Sequence, residues 1–221
     1  MTAHAGGASL HVNPSDLQDP RLQLRQKMRA RRRQLSRAQR TAAARHFARH
    51  LAPLLRPGKR IALYLPHDAE ADPGVIIHRA RQRGCTLYLP CITHYRRSRM
   101  RFLRFDQDTR LRTNRYGIRE PDPAHAPDIA VRLLDLVLLP LIAFDDYGGR
   151  LGSGAGFYDR HLHHLCRQRQ WRRPRLIGLA YEFQRVTHLK SAPWDVPMDG
   201  VVTPLGLHTP RRAVSKHGDP C

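Results

Sequence analysis

A chain of 221 residues fits one ordinary domain with a sizeable core, and its 41% hydrophobic content is gathered into short runs separated by polar segments. No run of about 18 apolar residues is present to span a bilayer, and no signal-like apolar stretch opens the chain, so a cytoplasmic protein that does not engage membranes is expected. The formal charge of +21, from 39 basic against 18 acidic residues, favours anionic partners.

Residues 1–14 are small, polar and without period, which predicts a disordered extension. From Asp16 to Leu35 helix formers dominate, with Leu17, Leu24, Met28 and Leu35 at helical spacing. Ser36 has the character of an N-cap for a second helix running to about Leu55, where Pro57 and Gly58 stop it. The pattern then changes to strand-length runs alternating with helices. Ile61 to Leu65 predicts a strand, Pro73 to Arg83 a helix ended by Gly84, and Thr86 to Leu89 a second strand closed by Pro90, which together make a βαβ unit. Met100 to Phe105 alternates sides and suits an edge strand, whereas Leu136 to Leu139 is continuously apolar and suits a central one. A helix over Ala155 to Gln170 and a buried strand over Leu176 to Ala180 follow, and residues 210–221 read as a loose tail.

The expected fold is therefore α/β: a single three-layer domain over residues 15–209, with a mostly parallel central sheet and helices on both faces. Ligands of such sheets bind beyond the carboxyl ends of the strands, here the loops after Leu65, Pro140 and Tyr181.

The arginines are spread through most segments, and only Lys27, Lys59, Lys190 and Lys216 are lysines. Such scatter reads as compositional bias rather than a dedicated binding stripe. An RNA-binding protein on a related scaffold is the rival that the charge suggests, but no RNP aromatic pair, KH loop or zinc knuckle accompanies it, and specific nucleic-acid binding is not expected. Cys85, Cys91, Cys166 and Cys221 form no C-x-x-C pair and read as reduced thiols. His161, His163, His164 and Cys166 lack a matching second ligand pair, so a polar helix surface is preferred to a zinc site.

Chemistry concentrates between Asp145 and Arg160, DDYGGRLGSGAGFYDR, directly after the central strand and its short extension. Gly152, Gly154 and Gly156 alternate with small residues, so the backbone can take positive φ and approach a ligand. The segment enters a helix near Gly156, whose free amides and dipole favour phosphate. A flexible surface turn is the alternative, and the loop lacks the Lys-Ser/Thr of a Walker P-loop. Arg150 can neutralise phosphate, Tyr158 can stack or hydrogen-bond, and Asp159 can supply oxygen to Mg²⁺; alternatively Arg150 and Asp159 form a solvated ion pair.

Phe144 through Asp159 resembles the signature of the 5-formyltetrahydrofolate cyclo-ligases. The likeness extends to Leu24, Arg25, the arginine run and Leu35-Ser36; to Tyr64–Ile77; to Tyr116-Gly117-Ile118-Arg119-Glu120-Pro121; and to Gly178–Tyr181, Gln184 and Trp194–Asp199. It spans residues 20 to 205 in order. The resemblance implies ATP- and Mg²⁺-dependent closure of 5-formyltetrahydrofolate, mono- or polyglutamylated, to 5,10-methenyltetrahydrofolate through a phosphorylated formyl group, by a protein expected to be monomeric. It implies that Arg21, Arg25, Arg150, Leu151, Gly152, Ser153, Gly154, Ala155, Gly156, Phe157 and Tyr158 bind ATP, with Arg150 and Tyr158 catalytic. It places Arg25, His67, Asp72 and Tyr116 on the folate and Asp159 and Asp195 on Mg²⁺. For His67 a loop histidine facing water remains the alternative. Arg21 and Ala155 stand where some relatives have lysine, and Asp72 is shorter than the glutamate of some relatives. A nucleotide-dependent ligase or kinase acting on another substrate is the remaining rival, since the loop constrains ATP better than folate.

Overall fold

The computed structural model describes residues 19–167, 174–190, 192 and 194–211, without the side chains of residues 164, 166 and 167. The expectations for residues 1–14, for the helix beyond Arg167, for residues 212–221, and for the side chains of His164, Cys166 and Cys221 lie outside it.

Two N-terminal helices open the fold. Asp19 is extended, accepts the Arg21 amide at 2.8 Å and caps α1, Pro20–Gln34; the expected helical residues 16–18 lie outside the described residues. Ser36 and Gln39 form a reciprocal capping box for α2, Arg37–Leu51, which ends in a 3-10 turn over Ala52–Leu54. The strands that follow are β1 (Arg60–Ala62), β2 (Thr86–His94), β3 (Arg99–Arg104), β4 (Leu111–Thr113), β5 (Arg119–Pro121) and β6 (Asp128–Ile129). They continue as β7 (Leu136–Pro140), β8 (Ala143–Phe144), β9 (Arg150–Leu151), β10 (Arg175–Leu179), β11 (Gly200–Thr203) and β12 (Gly206–His208). Helix α3 (Gly74–Gln82) lies between β1 and β2, and α4 (Phe157–Arg167) between β9 and β10.

Eight strands make one sheet in the order β12-β11-β10-β7-β1-β2-β3-β6. The inner run β11-β10-β7-β1-β2 is parallel, and β12, β3 and β6 add antiparallel margins. β3 therefore sits one place in from the edge. β2 continues through Pro90, where a strand end was expected. Tyr88 turns its carbonyl to the Leu63 amide at 3.0 Å, so Pro90, two residues on, faces the same side; β1 has ended there and no ladder bond needs the missing N–H.

Side chains alternate between the two faces. Ile61, Leu63, Leu136 and Leu138 pack with Phe47 and Leu51 of α2 and Ile76 and Ala80 of α3. Ala62, Val137 and Leu139 pack on the opposite face with Leu162 of α4 and with Phe144. This is the three-layer arrangement expected, with β7 at its centre. Helix α1 stands outside these layers, and its Met28 packs with Ile142, Ala143 and Leu151 beside the glycine-rich segment.

Candidate active site

Beyond the carboxyl ends of β1 and β7 a cleft of about 360 Å³ opens, within the range of small-molecule sites. Leu65 follows β1, Pro140 ends β7, and Pro90 and Ile92 come from the extended part of β2. Helix α1, the glycine-rich loop and Trp194-Asp195 close the other sides. The connection after Tyr181 reaches the cleft through its later part, Trp194-Asp195, and not through the residues next to Tyr181.

The glycine-rich loop is fixed from below. Asp145 is buried, and its carboxylate accepts the amides of Tyr147 (2.9 Å), Gly149 (2.8 Å) and Leu189 (2.8 Å). A Cβ on Gly149 would stand 2.7 Å from that carboxylate, which explains glycine there. The β8–β9 hairpin then delivers Arg150 and Leu151 to the cleft margin. Gly154 and Gly156 take φ of +112° and +68°, the conformations the sequence reserves for glycine, and α4 starts at the next residue.

From above, α1 lays arginines one turn apart along this loop. Arg25 Nε donates to the Gly152 carbonyl at 3.0 Å, and Arg29 Nη2 to the Ser153 carbonyl at 3.2 Å. Arg21 Nη2 pairs with the Asp195 carboxylate at 3.0 Å. Arg150 pairs with Asp159, and both side chains are withdrawn from solvent, so this is not the solvated ion pair weighed as the alternative. The Asp159 carboxylate also accepts the Val196 amide at 3.3 Å, which brings the Asp195 strand of chain alongside α4. Arg21, Arg25, Arg150, Gly152, Ser153, Gly154, Gly156, Phe157, Tyr158, Asp159 and Asp195 all line the cleft. Leu151 and Ala155 do not: Leu151 is buried in the small core beneath α1, and the Ala155 carbonyl accepts the Ser98 hydroxyl at 3.3 Å.

The opposite wall is richer in acids than expected. Glu70 lines the cleft, whereas Asp72 is exposed and its carboxylate accepts the Gly74 amide at 2.8 Å at the start of α3. Of the acids in this loop, the one facing the ligand space is therefore Glu70, two residues before the expected position. Burial raises the Glu70 carboxyl above its usual range, partly offset by the His67 amide and by Arg32. Burial likewise holds the Tyr158 phenol well above its ordinary value, with Glu70 adding to the effect, so Tyr158 is a hydrogen-bond donor at neutral pH and not a base. Glu120, almost fully buried, accepts the Ile92 amide and Asn114 at 3.0 Å each and pairs with Arg112, fixing the turn that carries Tyr116.

Tyr116 and His67 flank the cleft rather than line it. Tyr116 meets Phe157 edge-on at 6.1 Å and Tyr95 at 5.6 Å, with the Arg115 guanidinium 4.0 Å from the Tyr95 ring. His67 is exposed, and its amide donates to Glu70. Sequence reasoning missed Glu70, Asn114, Glu120 and Trp194 as cleft residues. The signal available for Glu70 was its place within Tyr64–Ile77, one of the segments that carry the resemblance.

The donor set suits a hard cation. Asp159 and Asp195 are both oxygen donors on the cleft, tied together through Val196, and each already lies against a single arginine. Among the described residues no three metal-binding side chains gather, so an ion here would complete its shell from phosphate oxygens and water, as Mg²⁺ does. The His161 ring packs edge-on to Phe102 at 5.5 Å.

Residues 18–204 match the 5-formyltetrahydrofolate cyclo-ligase family. The Haemophilus influenzae 5-formyltetrahydrofolate cyclo-ligase is 35% identical over 182 residues, 80% of this chain and 94% of that protein. The Escherichia coli enzyme of the same name is 35% identical over 144 residues, 65% of this chain and 77% of its own length. The Aquifex aeolicus 5,10-methenyltetrahydrofolate synthetase structure superposes with a TM-score of 0.72 at 27% identity, covering 90% of this chain and 96% of that one. With a cleft built from the segments that carried the resemblance and a match along nearly the whole described fold, the chain belongs to the 5-formyltetrahydrofolate cyclo-ligase family.

Proposed function

We propose that this protein converts 5-formyltetrahydrofolate to 5,10-methenyltetrahydrofolate, using ATP with Mg²⁺ and releasing ADP and phosphate. The observation that carries this reading is the meeting of Arg21, Arg25, Arg150 and the positive-φ glycine loop with two carboxylates in one cleft. Four kinds of group are needed for phosphoryl transfer: cations, backbone amides, metal-binding oxygens and a wall against water.

The chemical problem is an amide-like formyl carbon that resists attack by N10. In the proposed reaction the formyl oxygen attacks the γ-phosphorus and ADP leaves. N10 then attacks the activated carbon, its proton is lost, and the oxygen departs with phosphate. No nucleophilic side chain is required. Arg25 and Arg21 bind the triphosphate from α1, the Gly152–Gly156 backbone offers room and amides, and Arg150 neutralises charge on the phosphoryl group in flight. Asp159 and Asp195 would hold Mg²⁺, which supplies charge neutralisation at the phosphate oxygens. Tyr158, kept protonated by burial, donates a hydrogen bond toward the transferring group.

On the other wall Glu70 offers two acceptor oxygens to the paired N–H donors of a pterin edge, the role first assigned to Asp72. Tyr116 and Phe157 supply aromatic surface beside it. The product absorbs in the near ultraviolet, so the test is direct. Folded protein with ATP, Mg²⁺ and 5-formyltetrahydrofolate is expected to develop that absorbance, and to fail when ATP is omitted. Phosphate release without folate dependence would favour an ATP-dependent enzyme acting on another substrate.

A further inference from the structure

Trp194 is held in an unusual position. Six large apolar side chains are exposed among the described residues, and of these only Trp194 lines the cleft. It is 63% exposed, although indoles are usually well covered. The chain around it prevents inward collapse. Asp195 closes a turn by accepting the Ala192 amide at 2.8 Å and donating its own to the Ala192 carbonyl at 2.9 Å. On the far side the Val196 amide donates to Asp159, while Val196 and Met198 are buried in the core. The indole thus projects from a turn fastened on both sides. That turn also carries Asp195, the partner of Arg21, so Trp194 belongs to the phosphate-binding end of the cleft and not to the Glu70 wall.

Stacked cover is what such a ring offers: a flat apolar face that gains most against another flat ring. We propose that Trp194 is the base-stacking residue of the nucleotide site, covering the purine of the triphosphate whose phosphates lie along Gly152–Gly156. The cleft then selects a purine nucleotide over bare triphosphate through this side chain. The inference rests on the ATP reading above.

Calorimetric titration of the full chain separates the two claims. The titrants are Mg–ATP without folate, Mg–tripolyphosphate, and 5-formyltetrahydrofolate, each against the parent, Trp194→Ala and Trp194→Phe. Alanine is expected to weaken ATP by about tenfold, the scale of one base–aromatic stack, and phenylalanine to restore most of it. Tripolyphosphate and folate affinities stay at parental values in both. Equal losses for ATP and tripolyphosphate would overturn the proposal, because the residue would then merely hold the turn. Loss confined to folate would move the indole to the pterin, and unchanged ATP affinity would leave it no part in the base site. A parent protein that binds neither ATP nor tripolyphosphate would defeat the ATP reading itself, and the stacking assignment with it.

Discussion

Glu70 shows what a single half-buried carboxyl at the cleft does to both stability and chemistry. Burial raises its folded-state pKa above the unfolded value, against the smaller pull of the His67 amide and Arg32. Its neighbour Arg32 is only 1% exposed, donates to the Leu141 carbonyl at 3.4 Å and stands 3.7 Å from Asp68. A raised carboxyl favours folding while it is protonated: that contribution is complete below the ordinary carboxylate pKa and is lost as pH rises through the folded one. Glu70→Gln removes the titration. Thermal melts are expected to show the variant more stable than its parent at about pH 8, the gap closing by about pH 4. A gap that ignores pH would contradict a desolvated carboxylate at this position.

The unit made of α1, the β8–β9 hairpin and the glycine-rich loop is where local rules and tertiary contacts divide the work. The helices were legible because caps and stops are local: Ser36 with Gln39 opens α2, and Gly84 at φ +72° follows α3. Of the alternating glycines, Gly154 and Gly156 take the positive φ expected of them and Gly152 does not. Gly154→Ala tests this directly. A methyl group at φ +112° is strained, at a cost of about 1–3 kcal/mol, although the new Cβ would meet the Arg25 guanidinium carbon at an ordinary contact distance of 3.8 Å. The expected kinetic result is a KM for ATP raised about tenfold with a smaller change in the KM for folate. Equal change in both would argue against a nucleotide loop.

What could not be read from the sequence depended on which of several available contacts, some local and some distant, the folded chain selects. Glu70 and Asp72 are both acids of one loop, and only the capture of Asp72 by the Gly74 amide decides which faces the ligand. Pro90 signals a strand end locally, yet β2 passes through it because β1 stops at Ala62. The exposure of Trp194 likewise follows from anchors at Ala192 and Asp159 that no local pattern announces.

Across the whole molecule, the sheet converts a packing constraint in its core into position at the cleft. Gly178 on β10 lies where a Cβ would stand 2.6 Å from Leu141 Cδ2 and 2.7 Å from Met198 Sδ. Leu141 follows the central strand β7, and Met198 ends the segment that carries Trp194 and Asp195, so the side chains that fill the space over Gly178 come from chain leading to two walls of the site. Gly178→Ala is expected to destabilise the fold by about 1–3 kcal/mol in denaturant titration, the usual cost of overpacking, and to depress turnover in the fraction that remains folded. A loss well below that range would show slack between β10 and the Asp195 segment.

Charge acts on the same scale. No acidic residue occurs between Asp19 and Asp68, a stretch that includes all of α1 and α2. The net +21 is therefore concentrated toward the helix that supplies Arg21 and Arg25 to the cleft, where such a field favours anionic ligands. The arginine scatter that the sequence displayed thus has one local consequence without requiring a nucleic-acid partner.

The central claim is that the formyl oxygen of the substrate becomes a phosphate oxygen inside this cleft. The most direct measurement uses 5-formyltetrahydrofolate labelled with oxygen-18 in the formyl group, turned over with unlabelled ATP in unlabelled water, with the released phosphate read by mass or by its phosphorus resonance. The account predicts that each phosphate released carries the label. Unlabelled phosphate, formed at the same rate as methenyltetrahydrofolate, would contradict it.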